Sequence, residues 1–391
     1  MIPYGRQSID ARDIRAVTRV LKSAWLTQGP WVRRFEEAFA KYCGAPYAVA
    51  LSSGTAGLHL AALAAGFGKG DEVITTPMTF VATANCLLYC GSRPRFIDID
   101  PDTLGLEAEA VERSITAKTR GVIPVHFAGQ PAVLDRKRLL SKNKRLVIVE
   151  DACHALGAEA RNRSGQWTKI GSCAEADIAV FSFHPVKHIT TGEGGMITMR
   201  NKALYDTLLL LRSHGIEKSA GKFQDRRQKS NPWYYEMTRL GYNYRLSDLQ
   251  CALGFSQLKK IGGFVARRRE AAAFYDRHLS GLKYVQTPAP IPGTRSSYHL
   301  YPLRIDFKAL KKTRAAVMGE LKARGVLTQV HYIPVPAQPF YRQRERYKPQ
   351  DFPNAEHYYR GALSVPIFPS MGRSALEKVV SSVKKVCGRE R

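Results

Sequence analysis

The chain has 391 residues, 44% of them apolar and 24% charged. This suits a globular protein with one large domain and a smaller one, and no stretch of apolar residues is long enough for a transmembrane helix. The formal net charge is +27, from 60 Lys and Arg against 33 Asp and Glu, a field that attracts nucleic acid, anionic membrane or phosphorylated small molecules. The basic clusters at 136–138, 142–145, 267–269 and 342–348 are scattered, and no zinc-finger, RNP-like or zipper motif accompanies them. A generally basic surface is therefore expected, without specific nucleic-acid binding. The seven cysteines form no C-x-x-C pair and lie in apolar stretches, so reduced thiols and no metal site are expected.

In chain order, Ile2-Pro3-Tyr4 reads as an extended piece, followed by an amphipathic helix with Asp10 as N-cap and Ile14, Val17 and Leu21 at helical spacing. No charged segment leads into an apolar one here, so no signal peptide and a cytoplasmic location are expected. From 46 to 200, short apolar runs alternate with helical patterns. Strands are predicted over 47–51, 72–75, 95–99, 121–125, 146–150, 178–183 and 196–199. Helices are predicted over 56–65, 81–89, 107–114 and 131–140. Such alternation implies a mostly parallel sheet covered on both faces. Beyond 201 come helices over 202–212, 246–258 and 264–279, a polar loop over 215–231 and a proline-containing linker over 286–297. Strands over 298–305 and 327–332, with helices over 308–323 and 373–386, complete an α+β C-terminal region.

Three segments carry chemistry. Ser52-Ser53-Gly54-Thr55-Ala56 joins a strand to a helix. Small residues there let the backbone close around an anion at the helix N-terminus, although the same residues also suit an ordinary capped helix. Val147 to Glu150 is an apolar strand ending in Glu150-Asp151, with His154 close behind. A carboxylate at that edge can hold the protonated pyridine nitrogen of pyridoxal phosphate (PLP), and equally can be a solvated strand end. Finally, Phe181-Ser182-Phe183-His184-Pro185-Val186-Lys187 leads from a buried strand into a glycine-rich loop. A lysine among apolar and aromatic residues at a sheet edge can have its pKa lowered, freeing a neutral amine for a Schiff base, whereas a lone lysine in such a turn is ordinarily a surface residue.

Taken in order, the phosphate loop, the strand-end Asp and the Ser–Lys segment resemble the PLP-dependent sugar aminotransferases of the DegT/DnrJ/StrS family. The resemblance spans essentially the whole chain. It includes Leu26-Thr27-Gln28-Gly29-Pro30, Ser53-Gly54-Thr55-Ala56, Glu150-Asp151-Ala152-Cys153-His154-Ala155, Ser182 to Lys187, Leu211-Arg212-Ser213-His214-Gly215, Gly241-Tyr242-Asn243-Tyr244-Arg245 and Leu363-Ser364-Val365-Pro366. It implies an α/β, fold-type I PLP-dependent transferase: an N-terminal segment (1–25), a large PLP-binding domain with a mostly parallel central sheet flanked by helices (26–260), and a smaller α+β domain (261–391). Lys187 would bond the cofactor and then shuttle protons, and Asp151 would pair with the pyridinium nitrogen. His154 would stand beside the ring hydroxyl, and Phe80 would stack on the ring. Gly54, Thr55, Ala56 and Ser182 would hold the phosphate. Asn243 would reach that phosphate from a second subunit, which implies a homodimer with shared active sites.

Within the family, Ile2-Pro3-Tyr4-Gly5-Arg6-Gln7, Pro124 to Pro131 and Thr328-Gln329-Val330-His331-Tyr332-Ile333-Pro334 are most similar to the branch that serves pseudaminic acid biosynthesis. That branch transfers the amino group of L-glutamate to C-4 of a UDP-linked 4-keto-6-deoxy-N-acetylhexosamine, and a basic cleft suits the diphosphate. One departure is Pro334-Val335-Pro336-Ala337, where the branch typically has a histidine two residues after its Tyr-x-Pro motif. Another nucleotide-sugar aminotransferase is the main alternative. A PLP-dependent sugar dehydratase, in which histidine replaces the lysine, fits less well because Lys187 is present, although His188 adjoins it.

Overall fold

Seven strands form the central sheet of the computed structural model, which describes residues 1–388. In chain order they are β1 (Tyr47–Leu51), β2 (Glu72–Thr75), β3 (Arg93–Phe96), β4 (Thr119–Ile123), β5 (Val147–Asp151), β6 (Ile178–Ser182) and β7 (Gly195–Met199). In space they run β1-β7-β6-β5-β4-β2-β3. The pairs from β6 to β3 are parallel, and β7 alone runs against its neighbours β6 and β1. The carboxyl ends of the other six strands therefore gather on one edge, where open α/β sheets place their ligands. β6 and β7 are apolar almost throughout, as strands covered on both faces must be. β3 is an edge strand and carries Pro94, whose missing N–H is tolerated there.

A second core lies in the C-terminal part. Its sheet is β8 (Val285–Gln286), β9 (Tyr301–Ile305) and β10 (Ala362–Val365), with β9 in the middle and both pairings antiparallel. Tyr275, Tyr301, Leu303, Leu321, Leu363 and Val379 fill it. The helix Ile261–Leu279 serves both cores: Ile261 and Val265 belong to the large one, and Ala271 and Tyr275 to the small one. The N-terminal piece joins the small core, with Ile2 donating to the Gly325 carbonyl (2.8 Å) and accepting from the Leu327 amide (2.9 Å). Among the described residues no helix is long and apolar enough to cross a membrane.

The structure differs from the sequence expectation at several boundaries, each for a local reason. The helix predicted over 131–140 is Arg136–Lys142, started by Asp135, whose carboxylate accepts from the Arg138 amide (2.9 Å). The helix predicted from 308 starts at Arg314, capped by Thr313. The strand predicted over 327–332 is reduced to one bridge, Gln329 to Ser364. Within the 286–297 linker, Thr294–Arg295 adds a strand to a small hairpin, Glu159–Arg161 with Trp167–Lys169, that no periodicity signalled. The helices Pro30–Cys43, Pro339–Glu345 and Pro353–Gly361 also escaped prediction. Each starts on a proline, which fits the first helical turn but reads as a breaker in isolation.

Candidate active site

The carboxyl edge of the sheet opens into a cavity of about 560 Å³, the size of a small-molecule site. Gly54 and Thr55 line it from the turn after β1, and Phe80 from the segment after β2. Asp151 and His154 reach it from the end of β5, and Ser182 and Lys187 from the end of β6. Two of the residues singled out from sequence lie elsewhere. Ala56 is buried one position deeper in the helix Gly54–Ala64, its amide donating to Ser53 Oγ (3.0 Å). Asn243 is exposed and bridged to Ser213, away from the cavity of its own chain.

One end of the cavity is built for an anion. Ser53 caps the helix Gly54–Ala64, taking the Ala56 amide on its hydroxyl and the Gly57 amide on its carbonyl (3.0 Å). The first two amides, of Gly54 and Thr55, have no intrahelical partner, and the dipole there is positive. A Cβ on Gly54 would stand 2.9 Å from the Cβ of Ser182 and 3.2 Å from Cys153 Sγ. Only glycine lets the helix start this close to the end of β6, which leaves backbone amides beside the Ser182 hydroxyl. A phosphate fits that cradle.

The floor holds a carboxylate. Asp151 is buried, with Oδ2 accepting from Thr83 Oγ1 (2.7 Å) and Oδ1 from the Cys153 amide (3.1 Å). Thr83 is held in turn by Thr79 Oγ1 (2.7 Å). Among the described residues Asp151 has no ion-pair partner. A buried carboxylate with spare lone pairs and no counter-ion is costly unless a cation reaches it, and a protonated pyridine nitrogen is a cation of the right kind.

Lys187 sits on the loop after β6, where its amide donates to the His184 carbonyl (2.8 Å). Burial lowers the pKa of its amine below the ordinary lysine value, and Cys153 and Asp151 oppose that shift without reversing it. The amine is thus more readily neutral, as a nucleophile must be. Burial also raises the Cys153 thiol well above its usual value, so it stays protonated beside Asp151.

Histidines form the remaining wall. His154 Nε2 lies 3.1 Å from Tyr332 Oη. Burial, followed by the charge of Lys187, pushes the His154 pKa well below the ordinary value. Burial does the same for His188 and His299, and brings His331 down to about 3. The unfolded chain protonates all four near pH 6.5, whereas the folded chain does not. Below that pH the unfolded state binds more protons, so stability falls as pH falls. Each ring removes about 1.4 kcal/mol by one unit below its unfolded pKa. The melting temperature is expected to drop steeply between pH 7 and 5.5, and a flat profile would show that these rings charge freely in the fold.

Tyr332, His299, His331 and Thr83 line the cavity without having been singled out in sequence. Tyr332 and His331 lie in a stretch already notable for its resemblance, but nothing local assigns them a role. Thr83 follows Thr79 by four residues, a spacing too common to mark a site.

The sequence pattern of the DegT/DnrJ/EryC1/StrS aminotransferase family matches residues 7–384. The spore coat polysaccharide biosynthesis protein SpsC of Bacillus subtilis is 39% identical over 386 residues, covering 98% of this chain and 97% of SpsC. Among solved structures, Helicobacter pylori PseC, an aminotransferase involved in the biosynthesis of pseudoaminic acid, superposes with a TM-score of 0.88 at 33% identity over 99% of each chain. The putative sugar aminotransferase Spr1654 from Streptococcus pneumoniae superposes with a TM-score of 0.89 at 28% identity over 99% of each chain, and it has been solved in PMP and PLP forms.

Proposed function

The chain belongs to the DegT/DnrJ/EryC1/StrS aminotransferase family, and on that premise we propose that it moves the amino group of L-glutamate to C-4 of a UDP-linked 4-keto-6-deoxy-N-acetylhexosamine, as in pseudaminic acid biosynthesis. It is a PLP-dependent sugar aminotransferase. The observation that carries the reading is the pairing, in one cavity, of an uncompensated buried carboxylate with a lysine whose pKa burial has lowered. The likeness to PseC supports the choice of acceptor.

In this reading Lys187 and Asp151 are the catalytic residues. The turn at Gly54 and Thr55 and the Ser182 hydroxyl hold the phosphate, with Ala56 behind them in the helix. Asp151 keeps the pyridine nitrogen protonated, His154 stands at the ring hydroxyl, and Phe80 covers the ring. When bound, PLP supplies an electron sink that makes the proton on the amine-bearing carbon removable. Lys187 Nζ takes that proton from the donor and returns one to the acceptor. Both substrates use the same place in turn, so initial rates should follow ping-pong kinetics.

A homodimer belongs to the same reading. Asn243 is exposed, and the preceding segment exposes Trp233 (74%), Met237 (65%) and Leu240 (76%). Large apolar side chains exposed together are the mark of a contact surface, and we place a second copy there, with Asn243 reaching its phosphate.

The test is incubation with glutamate and a panel of 4-keto sugars linked to UDP, GDP or dTDP, with product regiochemistry read by NMR. The expected product carries its new amine at C-4 of the UDP-linked N-acetyl sugar. Preference for another nucleotide, or amination at another carbon, would move the enzyme to a different branch of the family.

A further inference from the structure

The backbone of Asp151 is fixed on both sides. Its amide donates to the Pro124 carbonyl (2.9 Å), and its carbonyl accepts from the His126 amide (3.1 Å). The carboxylate itself turns about χ2, a torsion whose wells are broad in aspartate. The bond from the Cys153 amide to Oδ1 spans two residues and belongs to the local turn. Among the described residues one hydrogen bond reaches the carboxylate from a distant part of the chain. It is the bond from Thr83 Oγ1 to Oδ2 (2.7 Å), made across 68 residues.

Thr83 belongs to the helix Ala82–Tyr89, which starts with no side-chain cap. Threonines near a helix start ordinarily spend their hydroxyls on nearby backbone groups. Here, among the described residues, Thr83 Oγ1 meets only Asp151 Oδ2 and Thr79 Oγ1 (2.7 Å). Both threonines are buried, Thr83 completely. Valine is close to threonine in shape and needs no partner when buried, so packing alone does not call for either hydroxyl. The direction of the chain follows from the carboxylate. When ionised it only accepts, so Thr83 donates to it, and the Thr83 oxygen in turn accepts from Thr79. Hydroxyls in series polarise one another, which strengthens the bond on Asp151. Phe80 lies between the two threonines in sequence and lines the same cavity. One short segment thus carries both the hold on the carboxylate and the aromatic side chain that covers the ring in the reading above.

We propose that Thr83 is a positioning residue for the amino transfer: backed by Thr79, its hydroxyl holds the Asp151 carboxylate in the plane from which an oxygen lone pair meets the cofactor's pyridine nitrogen. The proposal rests on the reading that Asp151 pairs with that nitrogen. Oδ1 and Oδ2 each take one donor from the protein and each keep a lone pair for another. Hydrogen bonds to a carboxylate are strong only when well aligned. Without Thr83 the carboxylate swivels on the Cys153 bond alone, and the bond that keeps the pyridine nitrogen protonated weakens.

Thr83→Val tests this, because it keeps the branched shape and removes the donor. In the holoenzyme kcat should fall about tenfold, the worth of one good hydrogen bond, with KM little changed. PLP should also leave on dialysis about tenfold faster. Thr83→Ser, which keeps the hydroxyl, should restore most of both, and Thr79→Val, which removes only the backing, should cost less than Thr83→Val. The deciding measurement is Thr83→Val made in Asp151→Asn. There the hydroxyl has no charge to place, so the second substitution should lower kcat by less than about twofold. An equal loss in both backgrounds would mean that Thr83 merely supports the cavity, and it overturns the proposal. Wild-type kcat and cofactor retention in Thr83→Val overturn it too. Failure of the underlying reading shows separately, as a loss of less than about tenfold in kcat from Asp151→Asn alone, and the proposal falls with it.

Discussion

Replacing Lys187 by alanine should abolish amino transfer, lowering kcat/KM by at least about 10⁴-fold, and should remove the visible band that borohydride bleaches in the wild-type holoenzyme. Among the described residues Lys187 is the only lysine lining the cavity, so no neighbouring amine there can take over. Two functions disappear together, the covalent attachment of the cofactor and the movement of the proton, and losses of residues that act as a unit are large. The lowered pKa bears on capture of the cofactor. Lys187 Nζ must be neutral to bond it, and burial moves its titration below that of an ordinary lysine, so the rate at which the apoenzyme takes up PLP should rise with pH through a midpoint below the usual lysine value of about 10.4. The same desolvation makes the amine a burden to the fold, and Lys187→Ala should melt no lower than wild type. A bleachable band that survives the substitution would show that another residue carries the cofactor.

Asp151→Asn should lower kcat by about 10³-fold and weaken cofactor retention, read as faster loss of PLP on dialysis. The substitution keeps the shape and one oxygen, which can go on accepting from the Cys153 amide, while an NH2 group replaces the oxygen that accepts from Thr83 and has to donate to that hydroxyl instead. It removes the charge, and with it the means of keeping a pyridine nitrogen protonated in a buried place. An amide neighbour leaves the ring neutral and a poorer electron sink. The Cys153 contact persists, the Thr83 contact reverses, and an uncompensated buried charge is relieved, so the melting temperature should change little. A loss of less than about tenfold, a single good hydrogen bond's worth, would mean that Asp151 shapes the cavity without holding the ring.

Both predictions rest on residues legible in the sequence, and their legibility has a structural cause. Asp151 closes a short apolar strand, and Lys187 follows another. In a mostly parallel sheet the residue after a strand's carboxyl end arrives at the shared edge whatever the strand order. The turn from Ser53 to Ala56 is likewise a local event, fixed by a capping serine and a glycine. Asn243 shows the limit, because within a single chain it stands exposed and apart from the cavity.

The sequence by itself determined the chemistry of this protein: the alternation that makes the sheet, the order of anion turn, carboxylate and amine along it, and the resemblance that joins them to PLP. Only the tertiary structure decided what surrounds those groups. Thr83 reaches Asp151 across 68 residues of chain, and Tyr332 reaches His154 across 178. Arg268 reaches the His299 carbonyl from a helix shared by two cores. Such meetings depend on strand order, on the packing of the small core against the large one, and on which buried polar atoms are left without partners. No spacing along the chain encodes them, because hydrophobic period reports which face a residue takes and not which distant residue it will meet there.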